Sequence, residues 1–313
     1  MNIIVFGGAG FLGSHVADAL SDAGHDVTIF DIRQSPYLKE DQKMIIGDIM
    51  DIKAVEKAVT ENEVVYHLAG IADIDECSKR PVDTVRYNVL GTVIVLEASR
   101  KAGIRRFVFA GSVYVYSESG SFYRSSKQAC ELFIENYNRL YGLPYTIIRY
   151  GSLYGERADE RNSIYRIIKE GMSTRKIVYH GTGQELREYI HAQDAARSSV
   201  SILQPEFENQ HIILTGNQSM RYQDLLEMVR EMLGGDIEIE LLPKTSDTHY
   251  TVTPYNFNPR LGRKLVNNPH IDMGQGLLSC IHEIYQKFHK DQHEEMGIWM
   301  PEDAEESQEK DGE

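Results

Sequence analysis

Residues 1–20 read MNIIVFGGAGFLGSHVADAL: a β-branched run from Asn2 to Phe6, four glycines, then apolar residues at Leu12, Val16, Ala19 and Leu20. The run predicts a strand, and the helical spacing that follows predicts a helix over residues 11–23. Gly7 permits a tight turn off the strand, Gly10 lets the backbone approach a pyrophosphate, and Gly13 lets the helix lie against the strand. The helix N-terminus, with Phe11 and Leu12 in its first turn, then presents free N–H groups and a positive dipole end to phosphates. The string satisfies both G-x-G-x-x-G from Gly8 and G-x-x-G-x-x-G from Gly7. Eighteen positions beyond Gly13, Asp31 closes the next β-like run, HDVTIFD. A carboxylate there accepts hydrogen bonds from a ribose diol and repels a 2′-phosphate, so the cofactor expected is NAD rather than NADP, with Arg33 close by.

Outward from this stretch, β-branched runs at 26–30, 43–46, 63–68, 105–110 and 145–150 alternate with amphipathic stretches at 52–60, 81–102 and 123–141. Such alternation predicts parallel βαβ crossovers, hence a Rossmann-type, doubly wound α/β sheet. Beyond residue 150 the rhythm loosens. Helices are predicted at 162–170, 194–203, 222–233 and 274–288, with strands at 176–179 and 211–214. The chain is therefore read as an NAD-binding part over 1–160 and a smaller α/β substrate-binding part over 161–290, with interleaved contacts and a cleft between them.

The 313 residues suffice for a full core. The net charge of -14 is mostly local, because residues 291–313 hold ten acidic residues against one lysine. That segment reads as a solvated acidic tail. An acidic body argues against a nucleic-acid partner. No run has the apolar length of a membrane span, so no membrane partner is expected. Cys77, Cys130 and Cys280 are scattered, which suggests neither a disulfide framework nor a metal motif and fits a cytoplasmic protein. The eleven histidines show no ligand spacing, so no metal is expected, and His67 reads as structural.

In FYRSSKQACELF, Tyr123 and Lys127 stand four residues apart and project from one face of a helix. An ammonium beside a phenol favours the phenolate and would lower the tyrosine's pKa toward that of a general base. Upstream, GSVYVYS places Ser112 at a strand end that can aim its hydroxyl at the same place. Together the three can hold a secondary alcohol and remove its proton while a hydride leaves to NAD.

The ordered motifs GGAGFLGS, Asp31, GDIMD, HLAG, NVLGTVIVLEASRKAG, FAGSVYVYS, YRSSK, RYGSLYGER and GTGQELREYIHAQDAA resemble those of extended short-chain dehydrogenases/reductases, in the sugar-nucleotide epimerase/dehydratase branch. The resemblance runs from Met1 to about residue 290. It implies that Asp48 and Ile49 contact the adenine and that Leu68, Ala69 and Gly70 line the cofactor. It also implies that Asn88 supports the site and that Tyr150 and Gly151 border the nicotinamide. Arg187 matches the arginine that pairs with the substrate pyrophosphate, Lys244 lies where relatives carry a second phosphate-binding arginine, and Ser152 replaces a substrate-side asparagine. The helices over 81–102 and 123–141 resemble the pair that builds a family homodimer.

Family dehydratases and decarboxylases carry an acid one or two positions after the catalytic serine or threonine; here those positions are Val113 and Tyr114. Neutral residues there, and a REYIH string similar to that of UDP-galactose 4-epimerases, point to an NAD-dependent 4-epimerase of a nucleotide sugar. Another C4-oxidising enzyme of the family remains the alternative, and a non-catalytic NAD-binding partner protein is a third reading. Only six residues separate Tyr116 from Tyr123, where relatives carry a longer loop, which predicts a site more open on that side.

Overall fold

The computed structural model describes residues 1–243, 249–254, 263–264 and 271–290; Lys244 and the acidic tail lie outside them. Six short, apolar strands form first: β1 (Asn2–Phe6), β2 (Asp26–Asp31), β3 (Lys43–Ile46), β4 (Val64–His67), β5 (Arg106–Ser112) and β6 (Tyr145–Tyr150). They line up as β6-β5-β4-β1-β2-β3, every pair parallel, as the crossover rule requires. The strand order reverses at β1, which places a crevice outside the carboxyl ends of β1 and β4.

Helices cover both faces. On one lie α2 (Ile52–Thr60), α5 (Gly91–Ala102) and α6 (Ser121–Tyr141), burying Val55, Val59, Val95, Leu96 and Ile134 with Phe6 and Phe107. On the other, α1 (Phe11–Asp22) and α8 (Ala192–Ser201) pack Val16, Ala17 and Leu20 with Ala195, Ala196 and Ile202 over Ile3, Val5 and Ile29. Residue 16 to residue 20 is one turn, so this apolar stripe is the one read from the opening stretch.

The helix predicted over 81–102 is interrupted. It runs as α4 (Pro81–Thr84), a π-helical turn (Val85–Leu90) and α5. The wider turn carries Asn88, whose carboxamide is fully engaged below; a functional side chain is a common reason for such a bulge. A short α3 (Ile74–Lys79) precedes it, its N-terminus capped by the Asp73 carboxylate accepting from the Glu76 N–H at 2.7 Å.

The second half divides its elements between both parts. Strands β7 (Ser152–Tyr154), β9 (Leu186–His191) and β11 (Ser219–Arg221) form one small sheet, and β8 (Lys176–His180) pairs with β12 (Glu238–Leu242). Around them α7 (Ser163–Thr174), α9 (Tyr222–Met232) and α10 (Met273–Lys290) bury Ile164, Ile168, Leu225, Val229 and Leu277. Strand β10 (Gln210–Leu214), predicted within the smaller part, instead extends the large sheet beside β6, and β13 (Arg263–Lys264) follows it. Its apolar residues Ile212, Ile213 and Leu214 are buried there because β6, an interior-type strand with every residue buried, requires a partner on its open edge.

Candidate active site

The glycine turn is built by contact. Gly7 has φ +80°, and a Cβ there would stand 2.6 Å from the Ala69 backbone nitrogen. A Cβ on Gly13 would stand 2.1 Å from the Gly7 carbonyl oxygen, so α1 rests on the turn just beyond β1 rather than on the strand itself. Gly10 is the N-cap of α1 and supplies no side-chain acceptor, which leaves the first-turn N–H groups of Phe11, Leu12 and Gly13 available to an anion. Asp31 accepts from the Ala9 N–H at 3.0 Å through Oδ2 and from the Arg33 N–H at 3.4 Å through Oδ1. The carboxylate thus stands beside the cradle with acceptor capacity left for a diol, while the Arg33 side chain is exposed. An uncapped helix end, a turn with no room for side chains and an adjacent carboxylate fit a dinucleotide.

The remaining predicted cofactor residues fall around the same crevice with different degrees of freedom. Asp48 accepts from the Met50 N–H at 2.9 Å, and the Ile49 side chain is buried against Gly91. Leu68, Ala69 and Gly70 leave the carboxyl end of β4. Asn88 clamps the next residue, accepting from the Ile71 N–H at 2.7 Å and donating to the Ile71 carbonyl at 2.9 Å. It also donates to Ser126 Oγ at 3.0 Å, and Ser126 donates to the Tyr123 carbonyl at 2.7 Å. The loop after β4 is thereby tied to α6. Gly151 packs on Thr215, whereas the Tyr150 hydroxyl lies 2.5 Å from Ser199 Oγ on α8, so its phenol turns toward that helix.

Ser112, Tyr123 and Lys127 converge. Ser112 ends β5, and Tyr123 and Lys127 lie one turn apart on α6, all three buried. A buried pair fixes this helix to the sheet: Arg149 on β6 donates to Glu131 at 3.0 Å through Nε and 2.7 Å through Nη2. Burial pushes the Tyr123 phenol up to about 12, opposed by a hydrogen bond from Ser112. The expected lowering by Lys127 does not appear. Its Nζ donates to the Ala110 carbonyl at 2.8 Å and stands 5.8 Å from the Tyr123 ring centroid, and burial outweighs it. Burial also lowers Lys127 itself. His67 lies outside this set, buried among Phe6, Phe107 and Phe109 with Nε2 3.0 Å from Thr92 Oγ1.

On the substrate side, the Arg187 guanidinium stacks 4.3 Å above the Tyr250 ring and donates through Nη1 to the Leu186 and Thr251 carbonyls at 3.0 and 3.2 Å. Ser152 Oγ lies 3.2 Å from the Tyr250 hydroxyl. The Tyr114 hydroxyl lies 2.8 Å from His249 Nδ1, and its ring meets that of Tyr123 edge-on at 6.0 Å. His249 and Tyr250 were not singled out from the sequence, because THYTVTP matches no motif and carries no periodicity. They alter one expectation. The short connection before Tyr123 was expected to open the site, but Gly120 packs on the Tyr114 ring, and Tyr114, His249 and Tyr250 wall that side. Among the described residues no group of three or more His, Cys, Asp or Glu could hold a metal ion.

Comparison with known proteins agrees with this geometry. The model of the NAD-dependent epimerase/dehydratase family matches residues 3–216. The chain is 30% identical over 297 residues to a provisionally named UDP-glucose 4-epimerase of Methanocaldococcus jannaschii, covering 88% of this chain and 95% of that one. It is 26% identical over 266 residues to a UDP-N-acetyl-alpha-D-glucosaminuronate decarboxylase of Bacillus cytotoxicus, covering 77% and 83%. A crystal structure of the UDP-glucose 4-epimerase of Thermotoga maritima with UDP-glucose superposes with a TM-score of 0.81 at 25% identity, over 92% of this chain and all of that one. Uncapped glycine turn, carboxylate at the end of β2 and family match coincide: the chain belongs to the NAD-dependent epimerase/dehydratase family, with the extended short-chain dehydrogenase/reductase fold and NAD as its cofactor.

Proposed function

We propose that the protein is a sugar-nucleotide 4-epimerase. The observation that carries this reading is the convergence of Ser112, Tyr123 and Lys127 beside the dinucleotide cradle, with the neutral Val113 and Tyr114 directly after Ser112. Elimination or decarboxylation in this family uses an acid at one of those two positions, and this chain has none.

In the proposed reaction the Tyr123 oxygen takes the proton of the sugar C4 hydroxyl, while Ser112 holds the same oxygen by hydrogen bonding. NAD, held by the α1 N-terminus and Asp31, would supply reversible hydride chemistry at that carbon, and with the proton given back by Tyr123 the proposed net change is inversion at C4. Lys127, steadied by the Ala110 carbonyl, is the chain's own ammonium one turn from the phenol, and the hydrogen bond from Ser112 is what opposes the burial that raises it. Asp31 would take the adenosine ribose, the α1 N-terminus the cofactor phosphates, and Arg187 the substrate pyrophosphate. Lys244, outside the described residues, is proposed as a second charge for that pyrophosphate.

The test is incubation of the purified protein and NAD with UDP-, GDP-, CDP- and dTDP-sugars, read by chromatography and mass spectrometry. A product of unchanged mass and new retention time supports epimerisation. Loss of water, carbon dioxide or two hydrogens moves the protein to another branch of the family.

The proposed assembly is a homodimer through the interrupted helix over 81–102 (α4, the π-helical turn and α5) and α6. Val82, Val85, Leu90 and Phe122 there are 78%, 56%, 48% and 45% exposed, an apolar patch that water does not favour.

A further inference from the structure

Tyr114, the second neutral residue after Ser112, and Ser152, which replaces an asparagine of the relatives it resembles, are met in the structure by two consecutive residues. His249 pairs with Tyr114 at 2.8 Å and Tyr250 with Ser152 at 3.2 Å. We propose that Tyr114 and Tyr250, locked by these two bonds, form an aromatic wall that positions the sugar ring against Tyr123 and sets which sugars are accepted. The inference rests on the nucleotide-sugar reading above.

The wall is continuous. The Tyr114 and Tyr250 rings lie 4.5 Å apart at 48°, and Tyr114 meets Tyr123 edge-on at 84°. Its backbone is anchored on the far side of the cleft. Thr251 accepts from the Leu186 N–H at 2.8 Å, and Thr253 Oγ1 accepts from the Glu188 N–H at 3.1 Å, so residues 250–253 run along β9. From there His249 and Tyr250 reach across to the turn after β5 and to β7. Arg187 stacked on Tyr250 joins this wall to the proposed pyrophosphate site. Burial, together with the Arg187 and Arg166 charges and against those of Asp73 and Asp75, holds His249 below its usual range; in the tautomer with its proton on Nε2, Nδ1 accepts from the Tyr114 hydroxyl. A pyranose has one face of C–H bonds and a rim of hydroxyls. One face of Tyr250 carries Arg187, so it is the Tyr114 and Tyr250 ring edges with their fixed hydroxyls that would meet this rim.

The experiment measures calorimetric binding of UDP-glucose and of UDP to the NAD-loaded protein. Tyr114→Phe and His249→Ala each remove the first bond and are expected to weaken UDP-glucose by about fivefold to tenfold while UDP changes by less than about twofold. His249→Gln, whose amide oxygen also accepts from a phenol, is expected to restore the wild-type value. Tyr250→Phe keeps the ring under Arg187 and loses only Ser152, so it reads the second bond independently. Equal weakening of UDP and UDP-glucose, or no change in either, overturns the wall. Where UDP does not bind, the same comparison is made with whichever of GDP, CDP and dTDP does, and failure of the wild-type protein to bind any of the four overturns the nucleotide-sugar reading on which the wall depends.

Discussion

Tyr123 sits in an environment that opposes its proposed task. Burial raises the phenol to about 12, and the hydrogen bond from Ser112 is what opposes that rise. Removing the hydroxyl therefore removes proton transfer and little else, because the ring still fills the space between Ile74 and Cys77. Tyr123→Phe is expected to lower kcat by about 100-fold or more while NAD remains bound, as read by turnover and by cofactor absorbance after gel filtration. Turnover at the wild-type rate would discard Tyr123 as the base.

Helices α4 and α6 carry apolar residues on faces that the monomer leaves open. The homodimer reading predicts that sedimentation at micromolar concentration gives twice the chain mass, and that replacing Val82 and Phe122 by aspartate gives the single mass. A monomer in the wild-type protein rejects the interface. At this scale the sequence was legible where burial wrote the pattern. Strands β1, β4, β5 and β6 are buried runs of β-branched and aromatic residues; β1 and β6 have the predicted bounds, and those of β4 and β5 differ by a residue or two. Strand β9 was quoted as a motif but not as a strand, because LREYIH looks polar. It is nonetheless buried, with Arg187 and Glu188 meeting partners distant in sequence, Thr251 and Thr215. The π turn leaves no mark in periodicity, since Asn88 reads as one more helical residue. Of the candidate site, Ser112, Tyr123 and Lys127 were readable from spacing and order, whereas His249 and Tyr250 reach it only through tertiary contact.

Several buried groups change protonation between the folded and the unfolded chain. His15 on α1 lies 3.0 Å from the Glu156 carbonyl oxygen, and burial holds its pKa down from 6.5 to about 4. Burial likewise holds His67 down from 6.5 to about 3. A hydrogen bond from His191 takes Glu156 from 4.5 to about 2 against the cost of its burial. All three are depressed, so their stabilisation is complete above the unfolded values and is lost as pH falls. The histidines begin to lose it below about 6.5 and Glu156 below about 4.5, at up to about 1.4 kcal/mol per pH unit for each group. Urea unfolding midpoints are expected to be level from pH 8 to 7 and to drop progressively from pH 6 to 4. A level profile down to pH 5 would contradict the two histidine assignments.

The position of β10 also bears on how the molecule is made. Register pairs Thr146 on β6 with Gln210, and α1 is covered by α8, so the cofactor-binding sheet takes an edge and a cover from chain that follows it. A nascent polypeptide that has emerged only as far as residue 160 presents β6 as an unpaired edge and the α1 stripe bare. Synthesis must pass residue 214 before that sheet is sealed, which makes the interval between these two points the one in which the growing chain is most open to misassociation.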